Sequence, residues 1–168
     1  MTRERLGAAF SALDESLAEP VTLILGGGTA MLLAYDIPVR TTDADAYPQG
    51  PTPKSFDSLV KKVARNLDLP GDWLNPHFAT FAHVLPADYG SRLKDVFVGT
   101  HLRVRALGVE DLLVMKAFAG RAKDVSHAIA LLRRKPDLEL VGRRLEELLE
   151  RRVPGARDAL DFFDDLQD

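Results

Sequence analysis

Val21-Thr22-Leu23-Ile24-Leu25-Gly26-Gly27-Gly28-Thr29-Ala30, and then Arg40-Thr41-Thr42-Asp43-Ala44-Asp45, is the stretch from which the fold is read. The first five residues are short, rich in β-branched side chains and apolar apart from Thr22, the pattern of a buried strand. The glycines mark a tight turn, and Thr29 to Tyr35 reads as a short buried helix. Asp36-Ile37-Pro38 makes a turn, and Val39 to Tyr47 reads as a second strand. On extended backbone, residues i and i+2 share a face, so Asp43 and Asp45 stand side by side. Glycine N–H groups at a helix start bind anions, and hard cations take oxygen ligands. The pattern therefore suits a divalent metal and a triphosphate.

Working outward, residues 4–17 place Leu6, Ala9, Phe10, Leu13 and Leu17 on one helical face, and Pro20 ends that unit. The stretch from Pro48 to Pro53 is a loop. Residues 55–67 form an amphipathic helix with Phe56, Leu59, Val60, Val63 and Leu67 inward and Lys61, Lys62 and Arg65 outward. Asp72-Trp73-Leu74-Asn75-Pro76 reads as a turn anchored by the only Trp of the chain. Thr80–Leu85, Leu93–Val98 and Leu102–Leu107 each have strand character. Val109–Ala119 is a strong helix, Gly120 interrupts it, and residues 122–133 resume the spacing. Residues 138–151 and 156–166 are charged amphipathic helices joined at Pro154-Gly155. The expectation is an α/β (α+β) half over residues 1–107, then a helical segment over 108–168 packed on it.

Composition narrows the classes. A chain of 168 residues with 46% hydrophobic content buries a real core and is not a disordered protein. It has no Cys, which excludes disulfides and thiolate metal sites and fits a reducing compartment. Met1-Thr2-Arg3-Glu4-Arg5 reads as a charged helix start rather than a signal peptide. No apolar run approaches the ~20 residues that span a bilayer, so a cytoplasmic location is expected. A net charge of −3 argues against a scaffold held to DNA by charge alone.

The residues carry the chemistry with bland rivals beside them. The glycine run is either a phosphate cradle or simply a tight strand-to-helix turn. Its spacing matches neither the dinucleotide fingerprint nor the phosphate-loop motif. Thr29 either donates its hydroxyl to a phosphate or caps the helix that begins there. Strands disfavour Asp, and two carboxylates on one face repel. Local costs of that kind are tolerated at functional sites. Arg40 shares no face with the pair; it braces the carboxylates from the strand start or meets a phosphate.

Gly26-Gly27-Gly28-Thr29-Ala30 followed by Arg40-x-Thr42-Asp43-x-Asp45 resembles the signature of the DNA polymerase beta-like nucleotidyltransferase superfamily. More narrowly, it is similar to minimal nucleotidyltransferases that include abortive-infection toxins of toxin–antitoxin systems. Asp72-Trp73-Leu74-Asn75, Leu85-Pro86-x-x-Tyr89-x-x-Arg92-Leu93 and Glu110-Asp111-Leu112-Leu113-x-Met115-Lys116-x-x-Ala119-Gly120-Arg121-x-Lys123-Asp124 resemble an uncharacterised bacterial family of that group. The resemblance covers roughly residues 20–133. It implies a small mixed sheet flanked by helices, Mg²⁺ as cofactor and an NTP as substrate. By the same resemblance Asp43 and Asp45 are metal ligands, and Gly27, Gly28 and Thr29 seat the phosphates. Arg40 and Arg121 are further nucleotide-binding candidates. Lys116 and Asp124 match a lysine and an aspartate that toxin-like relatives use. Lys116 would neutralise phosphate charge, and Asp124 would orient it or assist the acceptor. The implied partners are a tRNA or protein acceptor and an antitoxin.

Each of these has a structural rival. Lys116 fits a snorkelling surface residue and Asp124 a first-turn charge on a helix. On one continuous helix the two would lie about 80° apart, at ~100° per residue, unless Gly120 resets the angle. Arg121 and Lys123 fit a solvated basic edge. The superfamily usually adds a third carboxylate from a later strand. Here the segment ending at Pro86 offers His83, and Asp95 is the remaining acid in reach of that role. That gap keeps open a catalytically weak nucleotide-binding module of the same fold. His127 stands where relatives tend to have an acid, and a lone His is more often structural. Lys116 to Arg157 carries eleven basic residues and Asp158 to Asp168 five acids. Such runs are either solvated helical faces or a basic rim for RNA followed by a docking tail.

Overall fold

The computed structural model describes residues 1–167, and for residues 77 and 78 the backbone alone. Asp168, last of the C-terminal acids, lies outside the described residues. The chain divides into two compact units, residues 1–79 with 93–107 and residues 80–92 with 108–168.

The first unit is built on a mixed sheet, with five strands among the described residues in the order β3-β2-β1-β5-β4. They are β1 (Val21–Leu25), β2 (Ala44–Pro48), β3 (Leu74–Asn75), β4 (Lys94–Val98) and β5 (Leu102–Ala106). β1 runs parallel to β5 and antiparallel to β2, and β3 runs parallel to β2. The helices are α1 (Arg3–Ser16), α2 (Gly27–Tyr35) and α3 (Phe56–Asn66). This is the expected α/β (α+β) architecture.

Register decides what the sheet buries. Leu23 pairs with Val104, while Leu25 pairs with Ala106 on one side and Ala46 on the other. All five are buried, and Ala44 continues their face. By strand alternation, Asp45, Tyr47, Arg103 and Arg105 stand on the opposite face, and Asp43 immediately precedes β2. The core beneath is aromatic. Phe10 of α1 meets Trp73 and Phe97 with ring centroids 6.0 and 5.8 Å apart. Trp73 is fully buried, and its indole N–H donates to the carbonyl of Val60 at 3.0 Å. Asp14, near the end of α1, accepts from the backbone N–H groups of Thr100, His101 and Leu102 at 3.0, 2.7 and 2.6 Å. That one carboxylate closes the turn between β4 and β5.

The second unit is helical: α4 (Val109–Ala119), α5 (Ala122–Leu132), α6 (Leu138–Glu150) and α7 (Ala156–Asp165). In α4, Asp111 through Ala117 are all buried, as expected of a central helix. Buried Asp111 is gripped at both oxygens by Arg92, at 2.8 and 3.0 Å. Arg144 of α6 donates to the carbonyls of Val84 and Leu85. These polar ties explain why residues 80–92 belong with the helices.

Three expectations about elements need correction. The second strand does not begin at Val39: β2 starts at Ala44, so Arg40 lies on a loop and, of the two carboxylates, Asp45 alone is in the strand, Asp43 standing just before it. The cause is local. Asp36 adopts a left-handed backbone (φ 51°), and the Thr41 hydroxyl turns forward to the carbonyl of Asp43 at 2.6 Å. Thr80–Leu85 is not a strand; it lies in a 3₁₀ segment (Pro76–Val84) and the residue after it. The Trp73 segment is more than a turn, because Leu74–Asn75 joins the sheet as β3.

Candidate functional site

The glycine turn and the carboxylate strand come together. Gly26 N–H donates to the carbonyl of Asp45 at 2.8 Å, and Ala30 N–H to that of Gly26 at 3.1 Å. α2 therefore begins directly beside β2. The N–H groups of Gly27, Gly28 and Thr29 are those an α-helix leaves without an intrahelical partner. Gly27 has φ +57°, and a methyl built on it would lie 1.9 Å from Oδ2 of Asp45. Glycine is thus required there twice, for the backbone conformation and because the carboxylate occupies the side-chain space. Gly28 differs: a methyl there meets Val39 at 3.4 Å, ordinary contact.

Asp43 is half-buried, and its Oδ2 accepts from the amide of Asn75 at 2.9 Å. Its backbone carbonyl accepts the hydroxyls of Thr29 at 2.8 Å and Thr41 at 2.6 Å. Thr29 is fully buried, and its hydroxyl ties α2 to the residue before β2 rather than standing free for a phosphate. The result is one carboxylate at the start of β2 and one just before it, next to a helix start, with Asp43 held by the neutral amide of Asn75. The donors are all oxygen, the kind that hard divalent cations take. Arg40 is exposed and makes no ion pair among the described residues.

Neither residue considered for the third acid's role belongs to this strand pair. Asp95 belongs to β4, three strands from β2, roughly 14 Å at ~4.8 Å per strand. It is held by Arg103 at 2.6 Å and Arg105 at 3.2 Å. The hydrogen bond from Arg103 keeps its carboxyl below the usual carboxylate range. His83 lies in the 3₁₀ segment of the second unit, its Nδ1 2.8 Å from the carbonyl of Thr80. Among the described residues no group of three or more carboxylates and imidazoles is arranged to hold a metal. The position beside Asp45 on the neighbouring strand is Asn75, whose β3 is too short to announce itself by periodicity.

In the second unit, Lys116 and Asp124 meet at 2.6 Å and both are buried. Gly120 makes this possible. Its left-handed conformation (φ 54°) ends α4, Arg121 is extended, and α5 starts in a new direction. Arg121 closes on Asp124 from outside, with Nε at 2.7 Å from Oδ2. Burial pushes the Asp124 carboxyl up, but the bonds from Arg121 and Lys116 outweigh it and hold it below its ordinary value. His127 Nδ1 lies 4.0 Å from Asp124 Oδ1 and is buried without a hydrogen-bond partner. Burial, and then the Lys116 cation, push its pKa down from the ordinary imidazole value.

A family described as "Nucleotidyltransferase of unknown function (DUF6036)" has a model that matches residues 4–158. The chain belongs to this family. The match spans every candidate residue from Gly27 to Asp124, so both clusters are part of the nucleotidyltransferase family region. Comparison with curated proteins and with solved structures found no match to either. Among the described residues of this nucleotidyltransferase family member, no helix is long and apolar enough to cross a membrane.

Proposed function

We propose that this protein transfers a nucleoside monophosphate from a Mg²⁺–NTP to a hydroxyl of RNA, such as a tRNA, or of a protein. One observation carries the reading: the Asp45 carboxylate rests against Gly27 at the start of α2, with Asp43 two residues before it at the mouth of β2. Mg²⁺ is usually held by one or two carboxylates together with substrate phosphates. Asp43 and Asp45 suit that donor set, and the glycine leaves room that any larger side chain would fill. When bound, the ion supplies charge neutralisation on the triphosphate and polarises the phosphoryl centre.

This chain's own residues do the rest. The N–H groups of Gly27, Gly28 and Thr29 bind phosphate oxygens at the positive end of α2. Thr29 and Thr41, through the Asp43 carbonyl, keep that helix start fixed against the carboxylates. In the transfer, the acceptor oxygen bonds to the α-phosphorus, the bond to the β-phosphate oxygen breaks and pyrophosphate leaves. The hydroxyl proton goes to solvent or to a carboxylate. Arg40 is a solvent-side cation available to the nucleotide. Lys116 and Asp124, with Arg121, enter the reading through the resemblance, as a buried ammonium gripped by a carboxylate. A toxin role with a cognate antitoxin follows from the same resemblance.

A second reading has its own support. With Asn75 rather than an acid beside Asp45, the domain binds Mg²⁺–NTP and turns it over slowly or not at all. Labelled NTPs with Mg²⁺, RNA and protein fractions distinguish the two. Transfer that disappears in Asp43→Asn and Asp45→Asn supports the enzyme. NTP binding by calorimetry without transfer supports the binding module, and transfer that survives both substitutions removes the proposed site.

A further inference from the structure

We infer that Asn75 is a positioning residue for the carboxylate pair, pinning Asp43 through its amide and keeping the site at two negative charges. The inference rests on the reading of Asp43 and Asp45 as cation ligands. β3 is only two residues long, and Asn is a poor strand former, so neither length nor propensity explains its presence. What holds it is Trp73. The buried indole is packed on Phe10 and hydrogen-bonded to Val60, and the Trp73 carbonyl accepts the N–H of Ala44 at 2.6 Å. This sets the register Ala44↔Leu74 and Asp45↔Asn75. The amide of Asn75 then reaches Oδ2 of Asp43 at 2.9 Å. The donor assignment is chemically forced, since an ionised carboxylate only accepts.

The amide has two effects. It fixes the rotation of the Asp43 carboxylate, presenting it in one orientation. It also supplies no charge at the neighbouring-strand position, so an added cation meets two carboxylates rather than three. Outer partners that orient ligating carboxylates are worth roughly 10–100-fold in metal affinity.

The test is a Mn²⁺ titration of the full chain, without nucleotide, followed by water-proton relaxation and by thermal unfolding. Wild type should bind Mn²⁺, and Asp43→Asn and Asp45→Asn should lose most of that binding. Asn75→Leu, of similar volume and without a donor, should bind roughly tenfold more weakly. Asn75→Asp should unfold at lower temperature than wild type without metal, yet gain more than wild type when Mn²⁺ is added. A residue that only braces β3 would lower the unfolding temperature in both variants and leave Mn²⁺ affinity in the folded range unchanged. Asn75→Leu binding Mn²⁺ as wild type does overturns this inference alone. Absence of Mn²⁺ binding by wild type at millimolar concentration overturns the metal reading and the inference with it.

Discussion

Asp43 and Asp124 are both carboxylates with specific donors, yet their surroundings are opposite. Asp43 is half-buried and receives an amide from Asn75, a neutral donor. Asp124 is fully buried and receives two cations, Lys116 and Arg121, at 2.6 and 2.7 Å. A carboxylate oriented by a neutral donor has no counter-charge from that donor. A carboxylate clamped between an ammonium and a guanidinium is already compensated, and its desolvation is offset within the protein. The first arrangement is the one proposed to take a cation; the second joins α4 to α5 through a buried ion pair.

The comparison breaks most decisively at the carboxylate pair. Asp43→Asn and Asp45→Asn should each reduce nucleotidyl transfer on the order of 10²–10³-fold, the usual cost of one preorganised electrostatic group. Their unfolding temperature should stay level or rise, because a like-charge repulsion is relieved. A clear loss of stability in Asp43→Asn would give Asp43 the same structural role as Asp124.

The reverse pattern is expected for Lys116→Met. It removes one half of a buried pair and should cost about 3 kcal/mol, roughly 10 °C in Tm for a domain of this size. Differential scanning calorimetry gives the number directly. A Tm within a degree or two of wild type would show that Arg121 alone satisfies Asp124.

Smaller in size, and sharper in logic, is the glycine pair. Gly27→Ala forces a methyl into the Asp45 carboxylate at a left-handed position and should destabilise by at least about 1–2 kcal/mol. Gly28→Ala, with open contact distances, should stay within about 1 kcal/mol. Equal effects in urea unfolding would mean that the carboxylate does not rest where Gly27 leaves space.

The last test is pH. The folded pKa of Asp124 lies below its unfolded value, so the unfolded chain binds more protons as the solution is acidified. The stability advantage of wild type over Asp124→Asn should be full above about pH 4 and shrink as pH falls through the folded pKa. An advantage that grows on acidification would contradict the clamped-carboxylate description.

Several parts of this were legible in the residues. β1, α1, α3 and α4 follow local periodicity closely, and α4 has the bounds its apolar run announces. The pairing of the glycine turn with Asp43 and Asp45 was also legible, because each motif is short and contiguous. The departures share a physical origin. Thr41 closes a side-chain-to-backbone turn that cuts the β2 strand short, and nothing in a β-branched run signals that choice. Thr80–Leu85 has strand-like composition but follows 3₁₀ geometry, and the Arg144 guanidinium, not a neighbouring strand, takes up the carbonyls of Val84 and Leu85. Arg92 and Asp111 stood in motif blocks without evident chemistry; their bidentate pairing across 19 positions needs the fold to be seen.

By itself the sequence determined the α/β plan, since strand and helix periodicity are local properties of the chain, and its motifs pointed to a nucleotidyltransferase family. Only the tertiary structure decided what faces Asp43 and Asp45. A two-residue strand has no period to read, so Asn75 reaches Asp43 only because a buried tryptophan sets its register. Lys116 and Asp124 touch only because one glycine turns the chain through a left-handed conformation between two helices.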